Sequence, residues 1–218
     1  DMTLVQAKDY AERLTLHLKP GQPAEAIKPA QVAAEGKTVN IPFKTTQTHV
    51  IQGLPVMSRN DADYYALYLG NHVLGGSGFS SRLMQEIREN RGLSYSVYSY
   101  FIPMENRGPF QMALETSNHQ VEEAAELLQQ MLVDFIQQGP SEKELEHSKK
   151  NITGGFALKI DSNKKIVEYL TLIGFYNLPL DYLDRFNDNI MAVSQADIKD
   201  AFARRVKPEQ IIRVIVGE

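Results

Sequence analysis

The strongest constraint on the fold is a change of hydrophobic period at Gly92. Residues 80–91 have the apolar spacing of a short helix, and Gly92 is placed as the C′ glycine that ends it. Apolar and polar residues then alternate over Leu93–Ile102, which predicts a strand with one wetter face. A turn follows, and Pro109–Thr116 is predicted as the second strand of a hairpin.

Helices and strands are mixed along the rest of the chain. Residues 38–54 are predicted to be extended, and 211–216 to form a short buried strand at the end. Periodic apolar residues predict helices over 3–18, 61–74, 121–138, from the Ser141/Glu144 capping box onward, and near 162–176, 180–192 and 195–205. This order favours an α+β layer fold with helices packed on one face of a sheet.

Composition divides the chain into three parts. Pro20 and Gly21 end the first predicted helix, and residues 1–24 are predicted to belong to a preceding domain as its last helix. Residues 25–37 have linker composition, and residues 38–218 form the main predicted domain. The chain opens on Asp1 rather than Met, which suggests a processed or excised fragment.

Composition also excludes several functions. The 218 residues carry a net charge of −4 with mixed signs, which gives no electrostatic footprint for nucleic acid. There is no polybasic segment and no run of 18 apolar residues, so no membrane span is predicted. Cysteine is absent, which excludes disulfides, thiolate catalysis and cysteine-based metal sites.

Common catalytic motifs are missing from the sequence. No two of the five histidines are four residues apart, and there is no H-x-x-E-H motif, so no metal ligand is predicted. The Gly75–Gly78 stretch follows a predicted helix and lacks the lysine of a phosphate loop. It is interpreted as a break between helices, or as glycines that admit another backbone closely.

Two donors near the predicted helix–strand turn could bind an oxyanion. Arg88 falls in the last helical turn and Tyr95 near the start of the strand, so the reversal at Gly92 can bring them together. Guanidinium and phenol groups both donate hydrogen bonds at neutral pH. The same residues could instead be a salt-bridged arginine and a packed tyrosine, and residue types alone favour that interpretation.

Two stretches resemble the C-terminal domain of pitrilysin/insulinase/mitochondrial-processing-peptidase zinc metallopeptidases. They are LGGSGFSSRLMQEIRENRGLSYSVYSY over residues 74–100 and GPSEKELEHSKKNITGGF over residues 139–156. The resemblance covers about residues 38–218. It implies a two-layer α/β sandwich, duplicated in each chain, with a mainly antiparallel sheet and helices on one face.

The resemblance also implies roles for particular residues. In the family an arginine and a tyrosine seven residues apart, here Arg88 and Tyr95, hold the scissile carbonyl and its tetrahedral intermediate. Ser80, Ser81 and Arg82 would lie beside this catalytic pair and bind substrate. Helix capping and surface charge explain these three residues equally well.

The departure from the family is the missing zinc motif. Zinc would be a cofactor of the complete enzyme, bound by an N-terminal half of the same protein or by a homologous partner chain, and this fragment alone is predicted to be inactive. The expected substrate is a peptide. The Gly174–Asp184 stretch looks most like Gram-negative two-subunit members, which implies a periplasmic location. The alternative is a catalytically inactive structural or peptide-holding subunit; a free-standing small-molecule domain has no cofactor motif to support it.

Overall fold

The computed structural model describes residues 2–217. Its helices are α1 Leu4–Thr15, α2 Tyr64–Asn71, α3 Val121–Gln138, α4 Glu142–Gly155, α5 Asn163–Phe175, α6 Tyr182–Ala192 and α7 Gln195–Arg205. Two π-helices span His72–Gly76 and Met84–Asn90. The strands are β1 Lys37–Pro42, β2 Gln47–Met57, β3 Val97–Phe101, β4 Gly108–Ser117 and β5 Ile212–Gly217.

The five strands form one sheet in the order β1-β5-β2-β4-β3. The β1–β5 pair is parallel, whereas the three other pairs are antiparallel. Buried and exposed residues alternate along β2 from Gln47 to Gln52, as expected for a strand with one face against a core and one open face. The predicted two-layer architecture with a mainly antiparallel sheet is therefore confirmed, as is the β3–β4 hairpin.

Helices cover only one face of the sheet. On the other face, one row of side chains runs in register across all five strands: Val39, Val214, Ile51, Ala113 and Tyr98. The prediction of a buried C-terminal strand is therefore wrong in detail. Strand β5 lies inside the sheet, but all six of its residues are only half-buried, since the sheet has helices on one side alone.

The first helix begins where the sequence predicts. The Thr3 side chain accepts from the Gln6 amide, and the Gln6 side chain accepts from the Thr3 amide, which completes a capping box. The helix ends at Thr15 rather than residue 18, and none of its residues is buried. Residues 18–36 contain no helix or strand, and the Asn106 side chain donates to the Ile27 carbonyl in this stretch. The proposed division at residues 24 and 37 stays a prediction.

The predicted break at Gly75–Gly78 is placed too early. The helix that begins at Tyr64 continues as a π-helix to Gly76. A Cβ on Gly75 would lie 2.6 Å from the Ser99 backbone nitrogen, so the glycine lets this helix approach β3 closely. The backbone that Gly75 admits is the chain's own edge strand, β3. Close approach of a peptide or of another domain at these glycines stays a prediction.

Candidate functional site

The turn at Gly92 is built from backbone hydrogen bonds at a helix end. Gly92 has a φ of 61° in the left-handed region, as expected for a C′ glycine. Its amide donates to the Arg88 carbonyl at 3.0 Å, and the Leu93 amide donates to the Ile87 carbonyl at 2.9 Å. These two bonds close the π-helix and reverse the chain at Gly92, four residues after Arg88.

The segment after the turn is fixed by side chains rather than by a strand ladder. The Ser94 hydroxyl lies 2.7 Å from both the Ser96 and Glu115 carbonyls, and Thr116 donates to the Leu93 carbonyl at 2.5 Å. For this reason β3 begins only at Val97, four residues later than predicted. Leu93 and Ser94 are both buried, whereas the next two residues face outward, so the predicted alternation fails here.

Arg88 and Tyr95 meet at the end of this turn. The Arg88 guanidinium carbon lies 5.0 Å from the Tyr95 ring centroid and 4.7 Å from the Phe79 ring centroid. The guanidinium donates one hydrogen bond, from Nη1 to the Glu89 carboxylate at 2.6 Å. Cation–π contacts of this kind contribute roughly 0.5–1 kcal/mol at exposed sites, enough to favour one orientation of the side chain.

Tyr95 stands almost entirely in solvent, with 82% of its surface exposed. It also lines a cavity of about 240 Å³ on the open face of the sheet, together with Ile51 and Tyr98. At this cavity, His49 Nδ1 and Glu115 Oε1 are 3.2 Å apart. The phenol is thus presented to any chain lying across this face.

The two serines predicted to bind substrate differ in exposure and in their hydrogen bonds. Ser80 is exposed and donates to the Ser77 carbonyl at 3.1 Å. Ser81 is completely buried, and its hydroxyl accepts from the Met84 amide at 3.4 Å as an N-cap would. Substrate binding by these serines stays a prediction, and the contacts of Ser81 are those of helix capping.

Arg82 points toward the junction of α3 and α4. Its Nε and Nη2 donate to both carboxylate oxygens of Glu144 at 2.6 and 2.7 Å, and Nη2 also donates to the Gly139 carbonyl at 3.0 Å. These donors, together with Ser141, lower the pKa of Glu144 to about 2. Contact between Arg82 and a substrate stays a prediction; the observed role is to anchor two helices.

The described residues do not provide a metal centre. Over residues 2–217, no three His, Asp or Glu side chains are grouped as a bound ion would require. No helix in that range is both long and apolar enough to cross a membrane. The arrangement at Arg88 and Tyr95 is therefore a pair of hydrogen-bond donors without an adjacent metal site in the same described residues.

Comparison with known proteins defines the family. Residues 1–152 match the family model described as "Peptidase M16 inactive domain". This chain belongs to the peptidase M16 inactive-domain family. The structure is similar to the M16 inactive domain from Pseudomonas fluorescens, with a TM-score of 0.94 and 34% identity over 100% of this chain and 51% of that chain.

Curated M16 relatives include proteins named as proteases and as a non-protease. The chain is 37% identical over 119 residues to the uncharacterized zinc protease YmxG of Bacillus subtilis, covering 55% of this chain and 29% of that protein. It is 32% identical over 149 residues to the non-peptidase homolog YmxG of Helicobacter pylori, covering 66% of this chain and 33% of that protein. The matched residues thus cover about a third of the length of each of these curated relatives.

Two features of this M16 site were missed by the sequence analysis. The Phe79 ring stacks on Arg88, yet an exposed aromatic at the start of a helix has no periodic pattern that marks it. The helix that carries Arg88 is a π-helix, a rare form that is frequent at functional sites. Four aromatic residues lie within 95–101, after the Gly92 turn, but nothing in that stretch indicates that Phe79 stacks on Arg88.

Proposed function

We propose that this M16 chain supplies Arg88 and Tyr95 as hydrogen-bond donors to the scissile carbonyl in peptide hydrolysis, and that another domain or partner chain binds the zinc. The observation that carries the proposal is the contact between the two side chains. The guanidinium carbon of Arg88 and the ring centroid of Tyr95 are 5.0 Å apart at the end of the open sheet face.

The aromatic contacts of Arg88 leave most of its N–H donors available to a substrate. The guanidinium carbon lies over the Phe79 and Tyr95 rings, and these cation–π contacts use none of its N–H hydrogen bonds. One of the five N–H groups is used by Glu89. The remaining N–H groups and the Tyr95 hydroxyl can donate to one carbonyl oxygen under this proposal.

Two such donors would stabilise the oxygen as it gains charge in the tetrahedral intermediate. A donor of this kind typically contributes about 2.7–4 kcal/mol to lowering the barrier. The described residues do not fit a zinc ion, so no step at the metal is assigned to this chain. Its own part is to bind the carbonyl and orient it toward whichever domain carries the zinc motif.

The deciding experiment is Tyr95→Phe in the full-length protein, assayed with zinc on a mixed fluorogenic peptide library. This change removes one hydroxyl and keeps the ring that stacks on Arg88, so we expect kcat to fall about 10²–10³-fold. Tyr98→Phe is the matched control, because Tyr98 is also exposed on this face but stacks on Tyr100 instead. Equal turnover of both variants and the parent would contradict the proposal.

Three assays locate the zinc-bearing part. The chain of 218 residues alone, the full-length protein, and the full-length protein with a co-expressed H-x-x-E-H partner are compared on the same library. Activity in the second assay places the zinc motif in the same protein, and activity only in the third requires a heterodimer. A periplasmic location is part of the proposal, and subcellular fractionation tests it directly.

The second candidate function is a catalytically inactive structural or peptide-holding subunit. The name of the Helicobacter pylori relative, a non-peptidase homolog, favours it, as does the description of the matched domain as inactive. Under this alternative, all three assays would show no turnover. Peptide binding that persists without hydrolysis would then assign the holding role.

A further inference from the structure

A second cavity lies in the helical layer and shares no residue with the site of Arg88 and Tyr95. Its volume is about 510 Å³, within the range of small-molecule sites. The cavity is lined by Arg59, from the connection between β2 and α2, and by residues of α2, the turn after α4, α5 and α6. The proposed peptidase role makes no use of this cavity.

Two cations line the cavity without a carboxylate partner. Among residues 2–217, neither Arg59 nor Lys159 forms an ion pair, although Glu168 also lines the cavity. Lys165, on the same cavity, does have a partner, since its ammonium lies 2.9 Å from the Asp161 carboxylate. Arg59 is half-buried and Lys159 is exposed, so the lining presents two cations that are open to an anionic ligand.

The contacts of both cations are phenols and aromatic faces. Arg59 Nη1 donates to the Tyr64 hydroxyl at 3.1 Å, and the guanidinium lies 5.3 Å from the Tyr176 ring centroid. The Arg59 Nε is buried and has no hydrogen-bond partner among the described residues. Lys159 donates to the Tyr68 hydroxyl at 3.2 Å. These contacts use one of the five N–H donors of Arg59 and one of the three of Lys159, so donors other than the buried Nε remain available to a ligand.

The other walls are tyrosines and apolar side chains. Tyr169 and Tyr182 line the cavity, and burial raises the pKa of each phenol, so both stay protonated and can donate. The apolar part of the cavity lining is formed by Leu158, Leu172 and Phe186. A ligand with a negative head and an apolar body matches both halves of this lining.

We infer that this cavity binds a carboxylate carried on an apolar body, with Arg59 and Lys159 as its counter-charges. A single negative charge fits better than a dianion, because Glu168 adds its own negative charge to the lining. The same chemistry is offered by a free amphipathic carboxylic acid and by the C-terminal carboxylate of an apolar peptide. Either would place its carboxylate between the two cations and its apolar part against Leu172 and Phe186.

Calorimetric titration of the full-length protein, with EDTA present to remove metal, tests this inference. Octanoate is compared with octanamide, and an acetylated Leu-Phe peptide with a free C-terminus is compared with its C-terminal amide. We expect at least one carboxylate to bind and its amide to bind at least about tenfold more weakly, since a charge-assisted hydrogen bond is lost. Binding of octanoate alone identifies a free acid as the ligand class, and binding of the peptide acid alone identifies a chain terminus.

Two lysine variants make the test specific to the cavity. Lys159→Gln is expected to weaken carboxylate binding about tenfold, whereas the matched control Lys165→Gln changes it less than about twofold because Asp161 already pairs with Lys165. Both lysines are accessible, and thermal melts check that both variants fold. No heat with either carboxylate up to millimolar concentration, equal binding of acid and amide, or equal effects of the two variants would each overturn the inference.

Discussion

Arg82 and Arg88 lie six residues apart and are almost equally exposed, with 26% and 24% of their side-chain surface accessible. Their partners differ. Arg82 donates to both oxygens of Glu144 and to the Gly139 carbonyl, and it lies 5.2 Å from the Phe135 ring centroid. Arg88 donates to the adjacent Glu89, and its guanidinium carbon lies over the Phe79 and Tyr95 rings.

The comparison separates an arginine that holds the fold from one that is available to a ligand. The contacts of Arg82 join residues 57 and 62 positions apart, so they fix two helices relative to the site segment. The hydrogen bond of Arg88 joins neighbours in sequence and constrains nothing distant. Burial alone would not distinguish the two residues, whereas their hydrogen-bond partners do.

The largest expected effect that tests this comparison is a loss of peptide hydrolysis when Arg88 is replaced. Arg88→Met keeps an unbranched stem and removes every guanidinium donor, so peptide hydrolysis by the zinc-complete assembly should fall about 10²–10³-fold. The free energy of unfolding should change by less than about 1 kcal/mol, because an exposed ion pair contributes little. Steady-state kinetics and urea denaturation measure the two quantities. Normal turnover with lost stability would reverse the assignment of the two arginines.

The next largest expected effect is a loss of stability when Arg82 is replaced. Arg82→Met should lower the free energy of unfolding by about 1.5–3 kcal/mol, since it removes the bidentate bonds to Glu144. The turnover of the folded protein should stay within a few-fold of the parent. Arg91→Met is the matched control, because its pair with Glu86 is a surface contact and should contribute less than about 1 kcal/mol. Similar losses in both variants would remove the distinction between the arginines.

The same contact predicts a pH dependence. The folded-state pKa of Glu144 is about 2, below the ordinary 4.5, so its contribution is present above pH 4.5 and is lost as the pH falls through about 2. The loss between pH 5 and pH 3 should be on the order of 2 kcal/mol. Arg82→Met should show a shallower decline over this window, measured by urea denaturation at each pH. Parallel curves for variant and parent would show that Arg82 does not set this pKa.

The sequence predicted those parts of the site that depend on local chemistry. The Gly92 turn, the capping boxes at Thr3 and Ser141, and the hairpin all follow from residues within a few positions of one another. The proximity of Arg88 and Tyr95 was also predicted, because a single glycine turn separates them.

Features set by distant residues were not predictable in this way. Glu144 is 62 positions from Arg82, and no sequence pattern near Arg82 predicts that the two side chains pair. Tyr95 faces outward because Ser94 lies against the Glu115 carbonyl, 21 positions away, which overrides the alternating pattern. The π-helix that carries Arg88 has only seven residues, too few for its i→i+5 hydrogen bonding to show as a distinct hydrophobic period.

The smallest expected effect concerns how Tyr95 is positioned. Ser94→Ala removes a buried hydroxyl that lies 2.7 Å from two carbonyls, so unfolding should cost about 1 kcal/mol less. Because Ser94 makes no contact with the proposed substrate position, it acts only by holding the segment that carries Tyr95. Kinetics should therefore show a several-fold loss in kcat that Ser94→Thr, which keeps the hydroxyl, partly restores. A loss of stability with unchanged kcat in Ser94→Ala would mean that the Arg88 and Phe79 stack alone positions the tyrosine.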